Sequence, residues 1–249
     1  MANVVNRKLF NSPESLPLLD IKAQVNQNAS ILIVAPHPDD ETLGCGGAIA
    51  LLRQLNLSVA VTVVSDGTKS HPNSLAYPSP KLKKLREQES LAALAILGVA
   101  PEAVTFLNLP DGEVDISSKS QVAIASIEQY LNKLAPSIIF LPWRKDPHPD
   151  HRASWQLFTA ARKNLAILPR IIEYPIWDWD TEQRGDFADS INAWRLDITD
   201  VRELKRQAIA QYRSQISDLI NDDPEGFRLS AEMLQNFTQP WEIYLEVKL

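Results

Sequence analysis

Apolar and polar positions alternate along this chain with two different periods. SILIVA (30–35), LSVAVTVVS (57–65), AVTFLN (103–108) and SIIFLP (137–142) are short runs with few polar positions, the signature of strands buried on both faces. Between them the period lengthens to that of a helix. Gly46 to Gln54, Lys81 to Leu97 and Gln121 to Leu134 read as helices; the second carries Leu82, Leu85, Leu91, Leu94 and Leu97 among its apolar positions and stops at Gly98. This alternation predicts an α/β fold: a Rossmann-like, mainly parallel sheet with helices on both faces. Beyond Ser154 the pattern gives a further helix, strands at RIIEYPIW (170–177) and AWRLDI (193–198), and a long helix from Asp200 to Ile220 capped by Asp200. The clean alternation of WEIYLEVKL (241–249) suits an edge or antiparallel final strand. No Gly-, Ser- or Pro-rich linker divides the chain, so residues 1–249 read as a single domain, with 1–28 as a peripheral N-terminal extension.

Composition narrows the class. The 249 residues are 45 % apolar and 22 % charged, as in globular chains. A net charge of −6 offers no basic footprint for nucleic acid or an anionic membrane. Cys45 is the single cysteine, so no intramolecular disulfide forms. The longest nearly apolar run, Leu91 to Ala100, holds ten residues, against roughly 20 for a membrane span. The N-terminus lacks the apolar stretch and cleavage site of a signal peptide. The expectation is a soluble cytoplasmic protein with a small-molecule partner, no nucleic acid and no membrane insertion; its acidic helical surfaces permit a homo-oligomer.

The chemistry collects in two places. Three of the four histidines lie just beyond strand-like runs, in Pro36-His37-Pro38-Asp39-Asp40-Glu41 and in Asp146-Pro147-His148-Pro149-Asp150-His151. One such segment alone reads more readily as a turn, because proline fixes φ and aspartate bonds its own backbone. Two of them, each following a strand, meet in one crevice if the first and fourth strands are neighbours where the strand order reverses. Imidazoles and carboxylates together suit a divalent metal. Zinc with an open position and ferrous iron in a facial triad both take such ligands.

PHPDDE after the first strand and HPDH after the fourth resemble the paired motifs of the PIG-L/LmbE family of metal-dependent N-acetylglucosaminyl deacetylases. Ser65-Asp66-Gly67, Arg86 with Glu89, Leu109-Pro110-Asp111-Gly112, and Lys205 through Tyr212 to Gln215 follow the family's order as weaker landmarks. The resemblance implies His37, Asp40 and His151 as metal ligands, with Zn2+ the expected ion and Fe2+ the alternative. It implies Asp39 as general base, and His148 as the histidine that stabilises the oxyanion or acts as general acid. Asp150 would orient His148 and raise its pKa, while Arg86 and Asp111 would bind substrate. The activity implied is removal of acetyl from an N-acetylglucosamine-type substrate by metal-activated water. An amidase acting on another amide, of the thiol-conjugate type, and a non-catalytic carbohydrate- or metal-binding relative are the alternatives; retention of Asp39, His148 and every ligand weighs against the last. Which of Asp39 and His148 protonates the leaving amine stays open.

Other features have plainer readings. Gly44-Cys45-Gly46-Gly47 lacks a phosphate-loop pattern and reads as close backbone packing before a helix. Cys45 reads as a packing residue, His71 as a loop residue, and Asp178-Trp179-Asp180 as a surface loop. Among the tryptophans clustered between Trp143 and Trp194, Trp143 is placed to line a pocket and the others to fill core.

Overall fold

Each of the four apolar runs forms a strand of one sheet, and the helical stretches between them cover its faces. The computed structural model describes residues 13–114, 120–177 and 191–247. Its strands are β1 (Leu18–Leu19), β2 (Ser30–Ala35), β3 (Ser58–Ser65), β4 (Val104–Leu109), β5 (Ile138–Pro142), β6 (Arg170–Tyr174), β7 (Ile191–Asp197) and β8 (Trp241–Val247). Its helices are α1 (Asp40–Gln54), α2 (Ser79–Ile96), α3 (Ser120–Leu134), α4 (Pro149–Arg162), α5 (Arg202–Ile209), α6 (Arg213–Ile216) and α7 (Ala231–Phe237). The strand order is β1-β7-β8-β6-β5-β2-β3-β4. Neighbours run parallel except where β8 enters antiparallel between β6 and β7.

Along β2, Ile31, Ile33 and Ala35 enter the core beneath α1 and α2, while Leu32 and Val34 enter the one beneath α3 and α4. A strand covered on both faces cannot afford polar alternation, which explains its unbroken apolar run. From β2 the chain passes to β3 on one side, and β5 pairs with β2 on the other. The order therefore reverses between β2 and β5, and the loops leaving both strands open into one crevice.

Two sequence readings change, and two others gain detail. α1 begins at Asp40, so the three clustered glycines lie inside the helix rather than before it. A Cβ on Gly44 would sit 2.3 Å from the Tyr174 ring, and one on Gly47 2.5 Å from Ile198, so the glycines let α1 close onto its neighbours. The stretch 200–220 is broken: Asp200 lies in a 3-10 turn, α5 has Val201 at its N-cap with no side-chain cap, and α6 is a separate turn. Tertiary hydrogen bonds break it, since the Tyr212 hydroxyl donates to Glu41 and the Ser214 amide and hydroxyl donate to Glu89. Of the two alternatives for the last strand the structure shows the antiparallel one: β8 lies inside the sheet, and Glu242, polar by alternation, is buried there. Residues from Pro13 onward are stitched to the sheet, with β1 pairing with β7 and Ile21 buried in the α1-side core.

Cys45 is a buried packing residue. Trp143 is also fully buried, in a small core with Leu16, Ile191 and Leu245, and stands outside the lining of the cavity over the histidines. No helix among the described residues is long and apolar enough to cross a membrane. The Asp178-Trp179-Asp180 run lies outside the described residues.

Candidate metal centre

The turn from β2 into α1 begins at Pro36-His37-Pro38, where proline fixes φ on either side of His37. Asp39 is the helix N-cap at φ 135° and ψ −30°, and Asp40 is the first helical residue. This strained cap is held from below. Its amide donates to Glu41 Oε2 (3.0 Å), Glu41 Oε1 accepts the Tyr212 hydroxyl (2.6 Å), and that hydroxyl also pairs with Thr42 Oγ1 (2.8 Å). Across the reversal point, β5 leads to His148 as N-cap of α4, with Asp150 and His151 in its first turn.

Three donor atoms converge where the loops meet. His37 Nδ1 and Asp40 Oδ2 are 3.2 Å apart, Asp40 Oδ2 and His151 Nε2 3.2 Å, and His151 Nε2 and His37 Nδ1 3.3 Å. Lone pairs so close repel one another unless a proton or a cation lies among them. A four-coordinate zinc with N and O donors at about 2.0–2.1 Å spaces them roughly 3.4 Å apart. The opposite nitrogen of each imidazole faces carboxylate. His151 Nδ1 lies 3.4 Å from Asp146 Oδ2, and His37 Nε2 lies 3.2 Å from both Asp111 Oδ1 and Asp150 Oδ2. A carboxylate behind a ligating imidazole fixes its tautomer and raises its basicity. The donor set fits a divalent ion.

The electrostatics agree. Burial opposes charge on His151, but Asp146 and Asp40 outweigh it and lift its pKa to about 9. Burial likewise opposes charge on His37, where Asp111, Asp150 and Asp40 prevail and raise it well above the ordinary range. Asp40, despite burial, is held far below the usual carboxylate range by His151 and His37. The cluster draws positive charge into its centre. Beside it, burial drives Asp39 upward against the pull of Arg86, with Asp40 and Glu41 adding to the rise.

His148 differs from the sequence reading. Burial, with His151 and His37 adding, lowers its pKa to about 4 rather than raising it. Its Nδ1 accepts the Asp150 amide (3.2 Å). The Asp150 carboxylate turns instead to His37, and its Oδ2 accepts the Gly112 amide (2.7 Å). Asp150 therefore backs a candidate ligand and touches His148 through its backbone.

His37, Asp39, Asp40 and His148 form the floor of a cavity of about 530 Å³ whose walls include Arg86, Asp111, Lys69 and Gln215. Arg86 is committed within the protein: Nη1 donates to the Gly67 carbonyl (2.8 Å), and Nη2 donates to the Pro38 carbonyl (2.7 Å) and Asp39 Oδ2 (3.2 Å). It thus meets the candidate base rather than standing free for substrate. Asp111 faces His37 and accepts the Lys69 amide (2.8 Å) while still lining the cavity. Asp66 makes a turn, its Oδ1 accepting the Thr68 amide and hydroxyl (3.1 and 2.9 Å). His71 is buried beside Gly226, apart from the metal-facing cluster.

Sequence reasoning gave no individual site role to Asp146, Glu41, Tyr212 or Trp177. Asp146 carried a signal, because a ligating imidazole ordinarily has a carboxylate behind it and Asp146 opens the His148–His151 segment. Trp177, read as core, lines the cavity, as does Phe227.

Comparisons with known proteins follow the same lines. The family described as PIG-L, GlcNAc-PI de-N-acetylase, matches residues 32–162. The chain is 27 % identical over 220 residues to a probable N-acetyl-alpha-D-glucosaminyl L-malate deacetylase 2 of Bacillus subtilis, covering 86 % of this chain and 95 % of that one. It is 26 % identical over 213 residues to a diacetylchitobiose deacetylase of Thermococcus kodakarensis, covering 82 % and 77 %. The solved structure of N,N'-diacetylchitobiose deacetylase from Pyrococcus horikoshii superposes with a TM-score of 0.63 at 25 % identity, over 85 % of this chain and 78 % of that one.

Proposed function

The chain belongs to the PIG-L family, and on that premise we propose that it is a metal-dependent hydrolase removing the acetyl group from an N-acetylglucosamine-type substrate. The observation that carries this reading is the trio of donors from His37, Asp40 and His151, mutually within 3.3 Å, beneath a cavity that Asp39 and His148 also line. These three would hold the ion, zinc with ferrous iron as the alternative. Bound there, it would supply a Lewis acid for the acetyl carbonyl and acidify the attacking water.

The chain's own residues move the protons. Asp39 takes one from the attacking water, its carboxylate steadied by Arg86 Nη2 at 3.2 Å. His148 accepts the Asp150 amide at Nδ1, so its proton resides on Nε2, where the neutral ring donates to the developing oxyanion. Asp39 then returns the proton to the departing nitrogen, leaving acetate and a free amino sugar. Asp146 and Asp150 hold His151 and His37 in the required tautomers. Asp111 offers its carboxylate to sugar hydroxyls at the cavity wall.

The test is acetate release from N-acetylglucosaminides by purified protein, before chelation, after it, and after zinc or ferrous ion is returned. Release that chelation abolishes and metal restores supports the reading. A metal-loaded protein that releases no acetate overturns it.

A further inference from the structure

Beyond the groups that handle the acetyl, the cavity reaches an aromatic rim for which deacetylation itself has no use. Trp177 and Phe227 meet there edge to face, with ring centroids 5.7 Å apart at 76°, and Leu43, Pro147 and Leu229 continue the apolar wall. Phe227 stands at this rim with 36 % of its surface exposed. Its segment is nonetheless fastened. The Phe227 amide donates to the Ser70 carbonyl (2.6 Å) and the Leu229 amide to the Gln215 carbonyl (2.7 Å). Asp222 accepts the Ser74 hydroxyl (2.7 Å) and Ala76 amide (2.8 Å), and Asp223 accepts the Asn73 amide (2.8 Å). The ring is held out at the mouth by a pinned backbone.

The opposite wall carries charge that is already engaged. Of its two lining cations, Arg86 serves the Pro38 and Gly67 carbonyls and Asp39, and Lys69 Nζ lies 3.2 Å from Glu113. An anionic group at this rim meets the Asp111 carboxylate, while the lining Arg86 and Lys69 each already have a partner in the protein. The volume, about 530 Å³, is on the scale of a ligand larger than one pyranose.

We propose that Trp177 and Phe227 form an aglycone subsite for the flat apolar face of an uncharged six-membered ring. That ring is a second pyranose or an aryl group at the anomeric position, taken in preference to a small anionic aglycone such as malate. Ring C–H groups carry slight positive charge and settle against the negative face of an aromatic side chain. The proposal rests on the deacetylase reading above.

The experiment measures kcat/KM for acetate release by the zinc-loaded enzyme from four substrates: N-acetylglucosamine, N,N'-diacetylchitobiose, phenyl N-acetylglucosaminide and N-acetylglucosaminyl malate. The two ring-bearing substrates, or whichever of them fits, should exceed both the free sugar and the malate by about 5- to 10-fold. Phe227→Ala should bring that ratio close to one, and Phe227→Tyr should keep it. Phe227→Leu, which preserves bulk without a ring, replaces the alanine variant if the latter fails to fold. Preference for the malate, or a ratio unmoved by Phe227→Ala or Phe227→Leu, overturns the subsite while leaving the deacetylase intact. Absence of acetate from all four substrates overturns the deacetylase reading itself.

Discussion

At Asp39 the backbone sits at φ 135°, where an L-residue is strained by about 1–3 kcal/mol. Such strain persists only where surrounding contacts over-determine it, and here Glu41, Tyr212 and Arg86 do so. Stability should report this directly. Glycine ordinarily destabilises relative to alanine, yet Asp39→Gly should be more stable than Asp39→Ala by about 1 kcal/mol in denaturant unfolding, because glycine accepts positive φ. The reverse order would mean that the cap is unstrained. Chemistry should report the side chain: Asp39→Asn should lower kcat by about 10²- to 10⁴-fold while metal content, read by elemental analysis, stays that of the parent. Loss of metal in that variant would make Asp39 a ligand. That His37, Asp39, Asp40, His148 and His151 meet in one place was legible from two motifs. Which carboxylate stands behind which imidazole was not. The pairing of Asp150 with His37 and of Asp146 with His151 depends on loop paths across the sheet, which spacing along one segment does not encode.

Among the elements, α1 shows how tertiary contacts override a local pattern. Inside this helix the Gly47 amide donates to Glu242 Oε1 (2.7 Å) and the Ala48 amide to Glu242 Oε2 (2.8 Å), while the Leu43 carbonyl accepts Lys205 Nζ (2.7 Å). Lys205 also donates to Glu242 (2.7 Å), closing a buried network between α1, α5 and β8. The helix that carries Asp40 is thus pinned by an ion pair with no access to water. Lys205→Met keeps the apolar stem but strands the Glu242 charge, and should destabilise by about 3–5 kcal/mol. A change below 1 kcal/mol in thermal or urea unfolding would contradict that buried pairing. The same contacts explain one misread element and one whose place in the sheet stayed open. Alternation in WEIYLEVKL left an edge or an antiparallel strand open; β8 is antiparallel and interior, and its buried Glu242 is matched by a lysine distant in sequence. The apolar period of 200–220 implied one helix, but side chains of Glu41 and Glu89 capture Tyr212 and Ser214 and turn the chain. Strands β2, β3 and β5 were legible because their burial on both faces is written in consecutive apolar residues, and β4, half-buried at the end of the sheet, was legible from its shorter apolar run.

For the whole molecule, one topological fact assembles the site: β5 lies beside β2, so two segments far apart in sequence meet at the ends of neighbouring strands. Four carboxylates, from Asp40, Asp111, Asp146 and Asp150, surround two histidines there. Without metal, protons take the place of the cation. His151 has a folded pKa of about 9, above its ordinary 6.5. Its contribution to metal-free stability is therefore full below about 6.5 and is lost as pH rises through about 9. Metal binding requires the neutral imidazole and displaces that proton. The melting temperature of metal-free protein should thus fall between pH 6.5 and 9, and the gap to the zinc-loaded form should widen. A constant gap would contradict the assignment of His151. The central claim, that His37, Asp40 and His151 hold the ion on which deacetylation depends, is tested most directly by titrating zinc into metal-free protein while following acetate release from an N-acetylglucosaminide. Activity should rise from zero and saturate at one equivalent per chain, and His151→Ala should show no rise over that range. Full activity in metal-free protein, or the same saturating curve in His151→Ala, would contradict the claim.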